Sequence, residues 1–372
     1  MGTNDFKYSN RALAFLDILG FENIVKESIN KPELIQKIAS ILELSKQIAL
    51  SFYKSKFTIL KVDPNQYSHR MFSDTIVISG PYLSHDDFIL LSWWTMFHQY
   101  FLWKREKTFI RGGIAYGGMY EDEDIIFGPA LIDAYHLESD KGKSAWPRVL
   151  IDKSLLNEMT SEERKRDSLE FIRQDTDNLV HLDYLKELFH LFVIAENQRV
   201  TGGRMDDFGI PTNPINLFDE HKEAILAQVT YAKKLEDEEI LSKYVELSKY
   251  HNSTIERLRQ IIREVKNNNS LISDFFDDQI KSINARKLGK QYVAKYSAEE
   301  HPEQSDMLNI LGTVINKTIE NPPPDILKAH GIVIIGQTDD MELGKAIRAF
   351  SQQAPVGLSI LDETLEKAII DI

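Results

Sequence analysis

The segment "ALAFLDI", residues 12 to 18, restricts the fold more than any other stretch. Six of its seven residues are apolar and a glycine turn follows at once, so it reads as a strand buried on both faces. Asp17 interrupts that strand one position before its end. A carboxylate carried into a central strand costs several kcal/mol unless it is paired or holds a cation. A second aspartate, Asp74, lies in "MFSDTIVIS", which reads as another apolar strand. If the two strands are neighbours, both carboxylates leave the sheet at one edge, and their repulsion is relieved by a divalent ion between them. Mg²⁺ prefers carboxylate oxygen, keeps several waters and works with substrate phosphates. The turn "ILGFEN" after Asp17 brings backbone N–H groups and a helix start to the same place, an arrangement that binds phosphate. The competing reading is that each aspartate merely ends a strand as a turn or N-cap residue.

The surrounding pattern predicts an α+β fold. A helix from about Lys31 to Tyr53 follows the first strand, then strands at "FTILKV" and "RMFSDTIVIS". A long helix runs through "SHDDFILLSWWTMFHQYFLWKR", with Ser84 as N-cap and Asp87 three residues on as a variant capping box. A strand "TFIRGGIAYGGMY", an acidic hairpin tip "EDED", a helix from "GPALIDAYHLES" and a strand "PRVLID" complete the series. That βαββαβ order is the split βαβ or ferredoxin-like pattern, an antiparallel sheet with helices on one face.

At 372 residues and 42% hydrophobic content, the chain has room for further domains. The pattern predicts a first domain over 8–200, a helical extension over 216–268 where apolar residues recur every three or four positions, and a small C-terminal α/β module over 290–372. The module follows the Pro-rich "ENPPPD" and reads β-α-β-α from "HGIVIIG" onward. A formal net charge of -13 argues against a broad nucleic-acid surface. There is no cysteine, so disulfides and thiolate metal sites are excluded. A polar N-terminus and the lack of any run of about 18 apolar residues point to a cytoplasmic protein without membrane partners.

The blocks "FLDILGF", "MFSDTIVI", "FIRGGIAYGGMY" and "IIFGPALIDAYHLES", in this order, resemble the four signature blocks of class III nucleotide cyclases. More closely, they are similar to the Pycsar-type pyrimidine cyclases of bacterial antiphage defence. The resemblance covers residues 10 to 152 and extends more weakly into "LDYLKELF" and "KYVELSKYHN". It implies two ions of Mg²⁺ or Mn²⁺ per site, held by Asp17, Asp74 and the backbone carbonyl of Ile18. It also implies attack by a ribose 3′-hydroxyl on the α-phosphorus with loss of pyrophosphate, by two-metal catalysis. By the same resemblance, the loop around Gly20 and Phe21 cradles the triphosphate and Phe15 lines the nucleotide pocket. The sites are shared by two protomers of a homodimer, and the product, cUMP ahead of cCMP, signals to an effector during phage infection.

The departures from the family pattern concern charge. Purine cyclases carry an asparagine and an arginine four and eight residues after the glycine of the fourth block, where this chain has Ile132 and His136. Phosphoryl transfer needs cationic stabilisation, and the replacements on offer are Arg70, first for substrate contact, then Arg111, Lys141 and Lys143. A purine cyclase of the same class stays open, as does a cyclase-like module that binds nucleotide without turnover. Other signals fail: "GQTDDMELGKA" lacks phosphate-loop spacing, and the ten histidines show no ligand spacing. The glycines of "GGIAYGG" are expected at a dimer seam, and "YEDEDI" is expected as a solvated tip.

Overall fold

The computed structural model describes residues 7–54, 62–139, 146–158, 171–200, 214, 216–287, 305–320 and 340–372. The chain forms two compact units, one of residues 1–184, 223–249 and Ile372, the other of residues 185–222 and 250–371.

The first unit is α+β. Its described strands are β1 (Ser9–Ile18), β2 (Ser68–Phe72), β3 (Thr75–Pro81), β4 (Ile110–Glu121), β5 (Ile126–Phe127), β6 (Val149–Ile151), β7 (Ile172–Gln174) and β8 (Val180–Leu182). Helices α1 (Phe21–Ser28) and α2 (Glu33–Lys54) follow β1; α3 (His85–Glu106) precedes β4; α4 (Pro129–Ser139) and α5 (Lys153–Glu158) flank β6. The strand path is β2-β3-β1-β4-β6-β8-β7, with β5 paired to β4.

The expectation of an antiparallel sheet needs correction. β1 pairs antiparallel with both β3 and β4, but β4 and β6 run parallel, so the sheet is mixed. The reason is α4, which carries the chain back along the sheet between those two strands and so restores their common direction. The helices also cover both faces. Leu13, Val77 and Ala115 pack with Ala130 and Ala134 of α4 on one face. On the other, Gly80 lies against the ring of Tyr67, whose hydroxyl donates to Asp87 of α3 at 3.0 Å. The apolar run of β1 explains this: residues of both parities, Leu13 as well as Ala12, Ala14 and Leu16, are buried.

α3 starts as its sequence requires. Ser84 is the N-cap, and the Asp87 carboxylate accepts from the Ser84 N–H at 2.8 Å, the capping box. Gly113 is a packing requirement within the chain rather than at a dimer seam, because a Cβ there would lie 2.4 Å from the Ala134 carbonyl oxygen of α4. The segment "RMFSDTIVIS" is not one strand but the hairpin β2–β3. Phe72 pairs with Thr75 across a two-residue turn, Ser73–Asp74, with Ser73 left-handed at φ 55. The segment "LVHLDYLKELFHLFVI" holds β8 and most of a helix, α6 (Tyr184–Val200).

Two helices, α7 (Asn216–Leu235) and α8 (Glu238–Lys266), cover the expected helical extension, with left-handed Glu236 between them. Residues 223–249 of this pair belong to the first unit, where the Tyr231 hydroxyl donates to Glu27 of α1 at 2.6 Å and the rings of Phe109 and Tyr244 meet. The described part of the second unit is helical, adding α9 (Asn269–Lys287), α10 (Ser305–Glu320) and α11 (Asp340–Lys367). The expected second strand of the C-terminal module therefore lies inside a helix. Ala354, Leu358, Leu361 and Leu365, spaced by three and four, form its buried stripe. "FTILK", residues 201–213, the Pro-rich stretch 321–325, "HGIVIIG", Lys141 and Lys143 lie outside the described residues.

Candidate active site

Asp17 is the penultimate residue of β1, opposite Thr75 of β3 on one side and Arg111 of β4 on the other. Asp74 occupies the β2–β3 turn beside it, and its backbone oxygen accepts from the Ile18 N–H at 3.0 Å. The two aspartates are thus brought together by one hydrogen-bonded edge, although Asp74 stands in a turn and not within a strand.

Arg111 donates from Nε to Asp17 Oδ2 at 3.1 Å. Glu138 Oε1 of α4 lies 2.7 Å from the same nitrogen. This second contact is an ion pair without a hydrogen bond, because the buried Oε1 accepts none. Burial pushes the Asp17 carboxyl above its ordinary value, Arg111 opposes that, and the charge of Asp74 adds to it; the net shift is upward. The Glu138 carboxyl is likewise raised, by burial first, against Arg111, and then by Asp17 and Asp74. Two carboxylates, Asp17 and Glu138, therefore share one guanidinium, and the charge of Asp74 acts on both. The charge of a second cation, Lys243 of α8, itself paired with Glu239 at 3.0 Å, opposes the rise of the Asp17 carboxyl more weakly than Arg111.

Glu138 and Lys243 were not among the residues expected at this site. Glu138 had a signal: it falls eight residues after Ala130 and four after Ala134, on the buried stripe of α4. Lys243 had none beyond its place in "KYVELSKYHN".

The other expected residues scatter. Phe15 shares the sheet face of Asp17, two residues along β1, and meets the Tyr135 ring edge-on at 5.5 Å. Gly20 is left-handed at φ 78 and caps α1, whose first turn has no side-chain cap. The Leu19 N–H is already spent on the Phe109 carbonyl oxygen at 2.9 Å. Phe21 is buried as the first residue of α1. Arg70 does not reach Asp17 by any hydrogen bond among the described residues; it donates to Glu121 at 3.1 Å and to the carbonyls of Asp122 and Glu123. The hairpin tip thus takes Arg70. Glu121, shared by Arg70, Arg11 and Ser68, is the tip's anchor rather than a solvated acid. Ile132 and His136 are on the exposed side of α4.

Two carboxylates, one of them desolvated and repelled by the other, make a donor set suited to a hard divalent cation that keeps much of its water. Among the described residues, no group of three or more His, Asp or Glu side chains is disposed to enclose a metal, so the remaining ligands would be water, backbone or substrate oxygen. Also among them, no helix is long and apolar enough to cross a membrane. Comparison of the chain with protein-family models, curated proteins and solved structures finds no match.

Proposed function

We propose that the chain is a nucleotide cyclase of the class III kind. Its substrate is a pyrimidine nucleoside triphosphate, UTP ahead of CTP, and its products are a 3′,5′-cyclic nucleotide and pyrophosphate. The observation that carries this reading is the meeting of Asp17 and Asp74 at one edge of the central strands, with Arg111 beside them. The path β2-β3-β1-β4, antiparallel at every step with helical crossovers, has the strand order of a split βαβ sheet and supports a ferredoxin-like core.

In this reading Asp17 and Asp74, with the Ile18 carbonyl, hold Mg²⁺ or Mn²⁺. The ions, when bound, lower the pKa of the ribose hydroxyl and offset charge on the triphosphate. The uncapped first turn of α1 after Gly20 offers N–H groups to phosphate oxygen. Arg111 and Lys243 supply the cationic charge that the fourth block lacks. Phe15 and Arg70 share the sheet face on which Asp17 stands and are the contacts assigned to base and sugar. Exposed apolar side chains on α4 and the β4–β5 hairpin, Ile132, Tyr135, Ile125 and Phe127, support a homodimer with shared sites. The cyclic product is a messenger for an effector in antiphage defence.

A second reading, a nucleotide-binding module without turnover, is favoured by one observation: Arg111 already occupies Asp17. Incubating the purified protein with each of four labelled triphosphates and Mn²⁺ separates the two. UTP is expected to be cyclised, with activity lost in Asp17→Ala and in Asp74→Ala. Strong turnover of ATP or GTP would replace the pyrimidine assignment, and no turnover of any triphosphate would leave the binding module.

A further inference from the structure

We infer that Glu138 is a positioning residue, which takes the Nε hydrogen of Arg111 away from Asp17 when a divalent cation binds Asp17. This rests on the reading of Asp17 and Asp74 as cation holders. Arg111 has a single Nε–H, and it points at Asp17 Oδ2, 3.1 Å away. Glu138 Oε1 is closer to that nitrogen, at 2.7 Å, yet accepts no hydrogen bond. Glu138 is 5% exposed, and a buried carboxylate oxygen left without a donor is costly. The site thus holds an acceptor already in ion contact with Arg111 and lacking only the hydrogen.

A divalent cation on Asp17 changes the balance. Guanidinium and metal repel one another, and an Asp17 oxygen that ligates the ion is a poorer acceptor for Arg111. Without a second acid, Arg111 would be left half-buried beside a cation, and that cost would oppose binding. With Glu138 in place, a small rotation of the guanidinium transfers the hydrogen bond, and no backbone movement is needed. Arg111 then stays between Glu138 and the end of β1.

The test is a Mn²⁺ titration by calorimetry of the full-length, metal-stripped protein. Glu138→Asp keeps the charge but withdraws the carboxylate by one methylene, so it separates contact from field. Both Glu138→Gln and Glu138→Asp are expected to weaken Mn²⁺ binding roughly tenfold, the scale of losses seen when a ligand's supporting partner is removed. In the Arg111→Ala background, Glu138→Asp is expected to cost nothing, because no arginine remains to be held. Three results would overturn the inference: Glu138→Asp binding Mn²⁺ as the wild type does, the same loss with and without Arg111, or no Mn²⁺ binding by the wild type. If the expected pattern is found but no triphosphate is cyclised, the cyclase reading fails and the role of Glu138 stands. Thermal midpoints of the variants distinguish a local loss from unfolding.

Discussion

Each of the two units holds half-buried acidic residues, and they treat them in opposite ways. In the helical unit, Asp306 of α10 meets Lys186 Nζ at 3.2 Å and His190 Nε2 at 2.7 Å. Burial alone would raise its carboxyl, but the close contacts with His190 and Lys186 hold it well below the usual carboxylate range. In the α+β unit, Asp17 and Glu138 share one arginine, with Asp74 close enough to repel both, and both carboxyls are raised. One cluster is matched in charge and the other is short of positive charge. A matched cluster serves the fold; a site that concentrates unmatched carboxylates stores an affinity for a cation, at some cost in stability.

The signs of the pH dependence follow. Asp306 has a lowered folded pKa, so its contribution to stability is present above the ordinary aspartate value of 3.8 and is lost as pH falls through the folded value. Asp17 has a raised folded pKa, so the fold loses stability as pH rises from 3.8 to that raised value and does not regain it above.

The largest expected effect breaks the matched cluster. Asp306→Ala removes the acid from a buried ion cluster and should lower the unfolding free energy by about 3–5 kcal/mol at neutral pH, measured in urea. Asp17→Asn should do the reverse, raising the urea midpoint at pH 7 while abolishing the proposed cyclase activity; the gain should vanish below pH 3.8, where the wild-type carboxyl is protonated in both states. Glu138→Gln should also stabilise, by a smaller amount because Arg111 keeps its hydrogen bond to Asp17, and its gain should fade below the ordinary glutamate value of 4.5. Smallest of all, the Asp17→Asn/Glu138→Gln double variant should gain less than the sum of its parts, since Arg111 then loses both charged partners. A fully additive pair would mean that the two acids do not compete for Arg111.

Much of the centre of this contrast was legible in the chain itself. Asp17 stood out because its neighbours are apolar at both parities, a pattern that only a strand covered on two sides can use. Asp74 is placed by sequence pattern in the wrong element. "MFSDTIVIS" has β-forming residues on both sides of Ser-Asp, and nothing in composition distinguishes a strand through that pair from a hairpin turning at it. The second strand expected in the C-terminal module fails for a related reason. A short apolar run fits a strand or a helix, and the burial of Ala354, Leu358, Leu361 and Leu365 on one side resolves it as helix.

Register, not sequence, assigns the partners of Arg70 and Arg111. Arg111 stands opposite Asp17 across the β1–β4 ladder, whereas Arg70, on β2, lies within reach of Glu121 as β4 leaves the sheet. Glu138 depends on more still: α4 must pack against Gly113 closely enough to bring its buried stripe to the end of β1, and only a residue without a side chain allows that approach.

By itself, then, the sequence determined an α+β unit with a buried acid at the end of its first strand, because hydrophobic periodicity is a local property and a charge set in it is visible at once. Which cations answer that acid, and which other acids compete for them, was decided only by the tertiary structure. Arg111, Glu138 and Lys243 are distant from Asp17 in the chain, and electrostatic interaction depends on separation in space, which strand register and helix packing set.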